Sequence, residues 1–192
     1  MLDAGETCDD GTAPRILTRN DDGSFEGLEV TEGVFNPIYY AAVTDSEAMP
    51  RREVVSIDKC NVCHDVLALH GGQRFNVTEC VMCHRPNNDD SGRRPDDENP
   101  PESVDMRWMI HRIHTGAGLT NDFTVYGFGG TPHNYNKVVY PGDLRNCVGC
   151  HESGTYSVPL PEGTQSVPTL RDWYTPMLPA AASCLACHSS VD

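Results

Sequence analysis

Apolar side chains in this chain occur in short runs. Polar stretches that contain glycine and proline separate these runs. Residues 25–30 and 38–43 combine aromatic and aliphatic side chains over a few positions, a pattern that predicts short strands. Both runs precede residue 58, so we expect residues 1–57 to form a small β-rich extension or an interface arm. No run of 18 apolar residues occurs, and the sequence therefore predicts no membrane-spanning helix.

One segment, residues 103–116, has the pattern of a helix, with Ser103 as the expected N-cap and Gly116 as the expected C-terminal stop. Within it, His111 and His114 are three residues apart, and this spacing places both rings on one helix face. The apolar residues of this helix are expected to pack in a core or against a cofactor; they are Trp108, Met109 and Ile113.

Two stretches have the composition of irregular connections. Residues 85–102 are polar and contain four prolines, which predicts an exposed loop. Residues 152–183 also mix proline and glycine with polar side chains. The glycines of residues 126–130 favour a close approach of the backbone to another group, which we expect to be the face of a bound cofactor.

Length and charge exclude some classes of function. With 192 residues, the chain has room for one domain or for one domain with an appendage. Its formal net charge of −14 argues against sequence-independent binding of nucleic acid, which requires cationic side chains, and against docking on anionic lipid. The first six residues lack the pattern of an export signal, so we expect any such signal to have been removed or to lie outside this numbering.

Cysteine is the residue that changes this picture. Eight of the nine cysteines fall in four copies of Cys-x-x-Cys-His, the attachment motif of c-type haem. Cysteines three residues apart lie on one side of a helical turn, so both thiols reach the vinyl groups of one porphyrin. The histidine that follows supplies an axial ligand to the iron. The four copies contain Cys60, Cys63 and His64; Cys80, Cys83 and His84; Cys147, Cys150 and His151; and Cys184, Cys187 and His188.

Two other interpretations of the cysteine pairs remain open. Four such pairs can form two zinc sites with four thiolate ligands each, or they can belong to a disulfide scaffold. Neither interpretation explains why a histidine follows the second cysteine of every pair. Covalently attached haem c, in four copies, is therefore the favoured hypothesis.

The histidine count matches this stoichiometry, because four histidines lie outside the motifs: His70, His111, His114 and His133. Four irons with one open axial position each need four more ligands, so we predict that every iron has two histidine ligands. His70 lies six residues after His64, in what we expect to be the same helix, so it must serve a different haem. The other pairings are open, and a histidine can instead be an ordinary surface residue or serve a haem of a neighbouring chain.

A chain with four haems does not need a large core of apolar side chains. Each haem is a large, flat, apolar group tied to the chain, and the haems together replace much of the core that a small domain lacks. We therefore expect residues 58–192 to form a tetrahaem cytochrome c domain. Its fold class is that of a multihaem c-type cytochrome, mostly irregular coil with short α-helices around the haems, preceded by the small β-rich extension.

These residues together resemble the OmcA/MtrC family of outer-membrane multihaem c-type cytochromes. The resemblance implies that the eight motif cysteines attach haem and that all eight histidines are iron ligands. The chain resembles most of one pentahaem module of that family, but with four motifs. The similarity covers about residues 37–190 and includes, between the motifs, Leu69-His70-Gly71-Gly72, Met109-Ile-His111-Arg-Ile-His114, Tyr126-Gly-Phe-Gly-Gly130 and Tyr140-Pro-Gly-Asp143.

Iron with two histidine ligands has no vacant position for a substrate, so the predicted chemistry is electron transfer, and we assign no catalytic residue. The resemblance implies an extracellular or cell-surface location after export through the periplasm, with other multihaem cytochromes or external acceptors as partners. Three hypotheses follow: a discrete electron conduit, a repeating subunit of a cytochrome filament (a homopolymeric nanowire), or a terminal reductase with one labile ligand that reduces metal oxides or small oxidants. The ninth cysteine, Cys8, is expected to be a free thiol or to pair with another chain.

Overall fold

The computed structural model describes residues 36–168 and 176–188, together with short backbone segments at residues 18–19, 21–22 and 25–26. In these short segments, strands β1 (Thr18–Arg19) and β2 (Phe25–Glu26) pair antiparallel, with Thr18 opposite Glu26. The strand predicted at residues 25–30 is thus present in its first two residues, and the rest of it lies outside the described part. Cys8 also lies outside the described residues.

The prediction of a strand at residues 38–43 is wrong, because these residues adopt no regular secondary structure. Their side chains are largely exposed, with Tyr39 at 88% and Val43 at 94% of full exposure. A stable strand needs a neighbour for its N–H and C=O groups and an apolar face to bury. In the part of the chain that the structure describes, no strand pairs with this segment.

In the part of the chain that the structure describes, four α-helices follow β2, and three of them contain both cysteines of a motif. The helices are α1 (Ile57–His64), α2 (Val77–Cys83), α3 (Met106–Thr115) and α4 (Pro179–His188). Polar side chains cap the first two. The Ser56 hydroxyl accepts a hydrogen bond from the N–H of Asp58 at 3.2 Å, and the Asn76 side chain accepts one from the N–H of Thr78 at 3.0 Å. Among the described residues, no helix is long and apolar enough to cross a membrane.

Helix α3 begins later than predicted. Its N-cap is Asp105, whose carboxylate accepts hydrogen bonds from the N–H groups of Arg107 at 3.0 Å and Trp108 at 3.4 Å. The predicted cap, Ser103, lies outside the helix, and its hydroxyl accepts from the N–H of Asp105 at 3.3 Å. A carboxylate at this position also complements the positive end of the helix dipole. Gly116 ends the helix as predicted, with a φ of 43° that disfavours any side chain.

The core is small, and helices α3 and α4 contribute to it. Its buried apolar side chains are Trp108, Phe123, Val167, Met177, Ala182 and Ala186. Met109 and Ile113 of α3 pack against this cluster. The small side chains of α4 allow its backbone to approach α3 closely, which brings the fourth motif next to the helix that carries His111 and His114.

Residues 85–102 are not the fully exposed loop that their composition predicts. Asp90 and Arg94 form an ion pair at 2.8 Å, and each side chain is 1% exposed. The Asp90 carboxylate also accepts hydrogen bonds from the backbone N–H groups of Glu102 at 2.8 Å and Tyr126 at 2.9 Å. These hydrogen bonds join the loop to the segment that contains Tyr126. They also replace the water that a buried carboxylate has lost.

Buried polar side chains also set the position of α3. Glu102 is 2% exposed and accepts a hydrogen bond from the indole N–H of Trp108 at 2.8 Å. The guanidinium of Arg112 lies over the ring of Trp108 at 4.8 Å and over that of Phe123 at 4.9 Å. These contacts hold one face of α3 in the core and leave its histidines on another part of the helix surface.

A second small sheet joins strands β3 (Thr124–Tyr126) and β4 (Pro132–Asn134), which pair antiparallel with Val125 opposite His133. The turn between them contains Gly129 and Gly130, with φ values of 68° and 76° that favour glycine. His133 is thereby placed on an exposed strand.

Candidate haem-binding centres

The paired cysteines lie within single turns of helix. Helices α1, α2 and α4 each contain both cysteines of one motif, and the third motif begins in a 3₁₀ turn at Cys147–Gly149. This spacing puts two thiols on the same side of a turn. The eight motif cysteines form no disulfide, and all are at least partly exposed: Cys60, Cys63, Cys80, Cys83, Cys147, Cys150, Cys184 and Cys187.

Six histidines form three close ring pairs, and each pair joins one motif histidine to one from outside the motifs. A metal–imidazole bond is about 2 Å long, so two imidazoles on opposite sides of one metal have ring centroids about 6 Å apart. The observed spacings fit a metal ion between the rings. The centroids are 6.1 Å apart for His64 and His114, 6.0 Å for His84 and His70, and 6.0 Å for His151 and His111.

Backbone carbonyls orient two of these rings. Nδ1 of His84 donates a hydrogen bond to the carbonyl of Val104 at 2.9 Å, and Nδ1 of His114 donates to that of Ile110 at 2.9 Å. Because a carbonyl can only accept, Nδ1 carries the proton, and the lone pair of Nε2 is available to a metal.

Burial favours the neutral form of three imidazoles. It lowers the pKa of His84, His111 and His151 below the usual value of histidine. The neighbouring His151 lowers the pKa of His111 further, and the ammonium of Lys59 does the same for His151. Neutral imidazole is the form that binds a metal, so these side chains are ready to act as ligands near neutral pH.

Helix α3 brings its two histidines against two different motifs. His111 faces His151 of the third motif, and His114 faces His64 of the first motif. The two rings of α3 are three residues apart, so they follow one another along one face of the helix. The roles of these histidines as iron ligands stay predictions.

The prediction that His70 shares a helix with His64 is wrong, because α1 ends at His64. His70 lies in a tight turn and has a φ of 53°. The turn is closed by hydrogen bonds between Leu69 and Arg74, with the N–H of Leu69 donating to the carbonyl of Arg74 at 2.9 Å. This reversal, rather than a continuing helix, directs His70 to His84 of the second motif.

The first and third motifs lie side by side. The ammonium of Lys59 donates a hydrogen bond to the carbonyl of His151 and lies 3.6 Å from the carboxylate of Glu152. Just before α1, Val55 forms an isolated antiparallel β-bridge with His151, which also joins the two motifs. No sequence signature marks Lys59, because its partners are distant in the chain.

A cavity of about 650 Å³ opens beside His114. Its lining includes Thr115, Val138, Tyr140 and Gly142. The ring of Tyr140 stands edge-on to that of His114, with centroids 5.6 Å apart and planes at 88°. The sequence pattern does not identify Tyr140 as functional, since its contact with His114 depends on a long-range fold.

The structure does not bring His133 and His188 together. Both side chains are exposed, on β4 and at the end of α4, and within the described residues neither ring pairs with another histidine. A methyl group added at Gly127 would lie 2.7 Å from Nε2 of His133, so the backbone there approaches an imidazole, and the approach of this segment to a cofactor face stays a prediction. The fourth motif nevertheless lies against α3, because the hydroxyl of Thr115 is 3.0 Å from the sulfur of Cys187.

The donor set fits covalent haem. Each motif offers two accessible thiols on one turn beside an imidazole, and three motif imidazoles face a second imidazole at the separation that one metal requires. Across residues 36–168 and 176–188, no three His, Cys, Asp or Glu side chains converge as a tetrahedral zinc site would need.

Comparisons with known proteins find a matching family and two similar proteins. Residues 52–192 match the family described as outer membrane cytochrome MtrC/MtrF-like, domains II/IV. The chain is 25% identical, over 155 residues, to the multiheme cytochrome MtrC of Shewanella baltica (strain OS185), which is 80% of this chain and 17% of that protein. It is also similar to the crystal structure of the outer membrane decaheme cytochrome OmcA, with 26% identity and a TM-score of 0.48 over 76% of this chain and 20% of that one. The chain thus spans about a fifth of the length of these relatives.

Proposed function

The chain belongs to the MtrC/MtrF-like family of outer-membrane cytochromes, and on that premise we propose that it transfers electrons outside the cell through four c-type haems. The family consists of multihaem electron-transfer proteins. One observation carries the proposal for this chain: three motif histidines each face a histidine from outside the motifs, at a centroid distance of 6.0 or 6.1 Å.

The proposed ligand pairs follow these ring contacts. The cysteines of each motif attach the porphyrin whose iron the motif histidine binds, and a second histidine occupies the opposite axial position. The fourth pair is assigned by elimination, because one motif histidine and one other histidine are left. The pairs are His64 with His114, His84 with His70, His151 with His111, and His188 with His133.

When bound, haem supplies an iron that gains and loses one electron. The motif cysteines would hold the porphyrin through their thiols, and the paired imidazoles would bind its iron and leave no vacant position for a substrate. This arrangement favours electron transfer over catalysis at iron. Lys59 and the two histidines of α3 hold the first and third centres side by side, which shortens the distance that an electron must cross.

Mass spectrometry and absorption spectroscopy of the purified holoprotein test the proposal. We expect a mass increase of four haems per chain and low-spin spectra for all of them. As a matched variant, Cys80→Ala/Cys83→Ala should carry one haem fewer and keep the others low-spin. A wild-type chain with fewer than four haems would contradict the proposal.

Combined variants test the pairing itself. His114→Ala should make one haem high-spin, because its iron loses a ligand. Adding Cys60→Ala/Cys63→Ala to this variant should remove the high-spin haem, whereas adding Cys147→Ala/Cys150→Ala should leave it in place. The opposite result would assign His114 to the third motif instead of the first.

A terminal reductase is a second candidate, and the exposed, separate positions of His133 and His188 favour it. An iron with one weakly held ligand can bind a small oxidant directly, and an exposed haem can pass electrons to a metal oxide. Carbon monoxide binding to the reduced holoprotein distinguishes the two functions. Binding by one of the four haems would favour the reductase, and no binding would favour electron transfer alone.

We further propose a cell-surface location after export through the periplasm, with other multihaem cytochromes or extracellular acceptors as partners. Assembly into a filament is compatible with the exposure of Cys184 and His188, which puts the fourth motif at the surface where its haem can meet that of another copy. Sedimentation and negative-stain imaging of the holoprotein test this assembly. Uniform monomers would eliminate the filament and leave the electron-transfer proposal intact.

A further inference from the structure

Tyr140 packs against one of the proposed iron ligands. Its ring and that of His114 form a T-shaped pair with centroids 5.6 Å apart and planes at 88°, an arrangement in which aromatic rings attract. His114 also faces His64, and the planes of these two rings are inclined at 68°. The other two histidine pairs are closer to parallel, at 31° and 17°.

The position of Tyr140 is itself constrained. Gly142 lies against its ring, since a methyl group at Gly142 would be 3.2 Å from Cε1 of Tyr140. Two residues before Tyr140, the carbonyl of Val138 accepts a hydrogen bond from the N–H of Ala117 at 2.9 Å, which joins this segment to the end of α3. The tyrosine is therefore held at a set distance from the helix that carries His114.

A hydrogen bond also restrains the ring of His114. The carbonyl of Ile110 holds Nδ1 of His114 at 2.9 Å. That hydrogen bond restrains one ring nitrogen, and the edge contact with Tyr140 restrains the ring plane.

The angle between two axial imidazoles affects the electronic state of a low-spin iron. Each imidazole interacts mainly with one of two iron d orbitals, chosen by the orientation of its plane. Parallel rings act on the same orbital and separate the two in energy, whereas crossed rings act on both and leave them nearly equal. Crossed rings thus give a ferric EPR signal with a large maximal g value and a more easily reduced iron, one of the means by which axial ligands set a potential.

We propose that Tyr140 is a positioning residue that holds the imidazole of His114 across that of His64 and so makes the haem of the first motif electronically different from its neighbours. This inference rests on the proposed function, which assigns His64 and His114 to one iron. Tyr140 touches no iron itself; it acts through His114.

EPR spectroscopy and redox titration of the full-length holoprotein test the proposal. The wild type should show the large-g signal from the haem of the first motif. Tyr140→Leu removes the ring edge, so this signal should be lost and replaced by a rhombic low-spin signal at unchanged haem content, and one midpoint potential should fall. Tyr140→Phe keeps the edge and should keep the signal.

Tyr156 offers a matched control, because its ring stands edge-on to His151 at 6.0 Å and 70°. Tyr156→Leu should leave the large-g signal unchanged and alter only rhombic signals. If Tyr140→Leu lowers the haem content, Gly142→Ala provides a second test, since it displaces the Tyr140 ring without removing it. That variant should shift the large-g signal at full haem content.

The outcomes separate this inference from the function on which it rests. His114→Ala should abolish the large-g signal and make one haem high-spin. If all haems stay low-spin in His114→Ala, the ligand assignment fails. If His114→Ala behaves as expected, but the wild type lacks the large-g signal or neither Tyr140→Leu nor Gly142→Ala changes it, the role of Tyr140 is overturned and the electron-transfer proposal stands.

Discussion

At the scale of single residues, a glycine beside a histidine leaves room for the imidazole ring. Gly127 lies against His133, and an added methyl group would be 2.7 Å from Nε2 and 2.9 Å from Cδ2 of that ring. Because His133 is exposed, its ring can turn away from such a group at little cost in folding free energy. A substitution at Gly127 should therefore affect ligation more than stability.

Gly127→Ala should make one of the four haems partly high-spin while changing the free energy of unfolding by less than about 1 kcal/mol. Absorption and EPR spectra measure the first effect, and denaturant titration measures the second. Gly92→Ala is the control, because a methyl group there would meet nothing within 4 Å. Entirely low-spin haem in Gly127→Ala, together with high-spin haem in His133→Ala, would contradict the role of Gly127.

At the scale of elements, a buried ion pair joins the loop of residues 85–102 to strand β3. The buried guanidinium of Arg94 forms an ion pair with the Asp90 carboxylate. It also donates hydrogen bonds to the carbonyls of Thr124 and Glu98. The carboxylate of Asp90 also accepts hydrogen bonds from the backbone N–H groups of Glu102 and Tyr126. Removing one member leaves the other charged and buried, which is costlier than removing both.

Arg94→Met should lower the free energy of unfolding of the holoprotein by about 3–5 kcal/mol. The double variant Asp90→Asn/Arg94→Met should be less destabilised than the single one, because no charge is left unpaired and the amide oxygen can still accept from the N–H of Glu102. Denaturant titration followed by circular dichroism measures both. Arg145→Met is the matched control, since its ion pair with Asp143 at 2.8 Å is largely exposed, and it should change little. Equal losses in Arg94→Met and Arg145→Met would refute this account of the loop.

At the scale of the whole molecule, side-chain burial alone gives this chain a modest core. Large apolar side chains beside the motifs are exposed, with Val62 at 81%, Val66 at 69% and Met82 at 64% of full exposure. Porphyrins attached at the neighbouring cysteines would cover such surface. Folding is therefore expected to depend on the attached haems, as it does in small domains whose core a cofactor completes.

A chain in which alanine replaces all eight motif cysteines should lose most of its helical circular dichroism and its cooperative thermal transition. The reason is that the haems supply apolar surface that the side chains do not. The holoprotein, measured in the same buffer, is the reference. A sharp, cooperative transition in the haem-free chain would show that the side-chain core suffices.

Local patterns predicted some elements and missed others for identifiable reasons. The end of α3 at Gly116 was predictable, because a stop of this kind depends on one residue. Its start after the N-cap Asp105 was not predictable, because Ser103 is an equally good N-cap residue. The choice between the two depends on the contacts of the buried loop that precedes the helix. The strand predicted at residues 38–43 has the right side chains and lacks a partner, which only the fold supplies.

The chemistry of attachment was determined by the sequence alone. Two thiols and an imidazole within one helical turn require no distant contact, so the spacing of each motif already indicates a c-type haem and its first axial ligand. Tertiary structure decided which second histidine faces which motif, the angles between the rings, and the presence of Tyr140 and Lys59 beside them. Those contacts join residues from distant parts of the chain, and their geometry depends on how α3, the buried loop and the motif turns pack together.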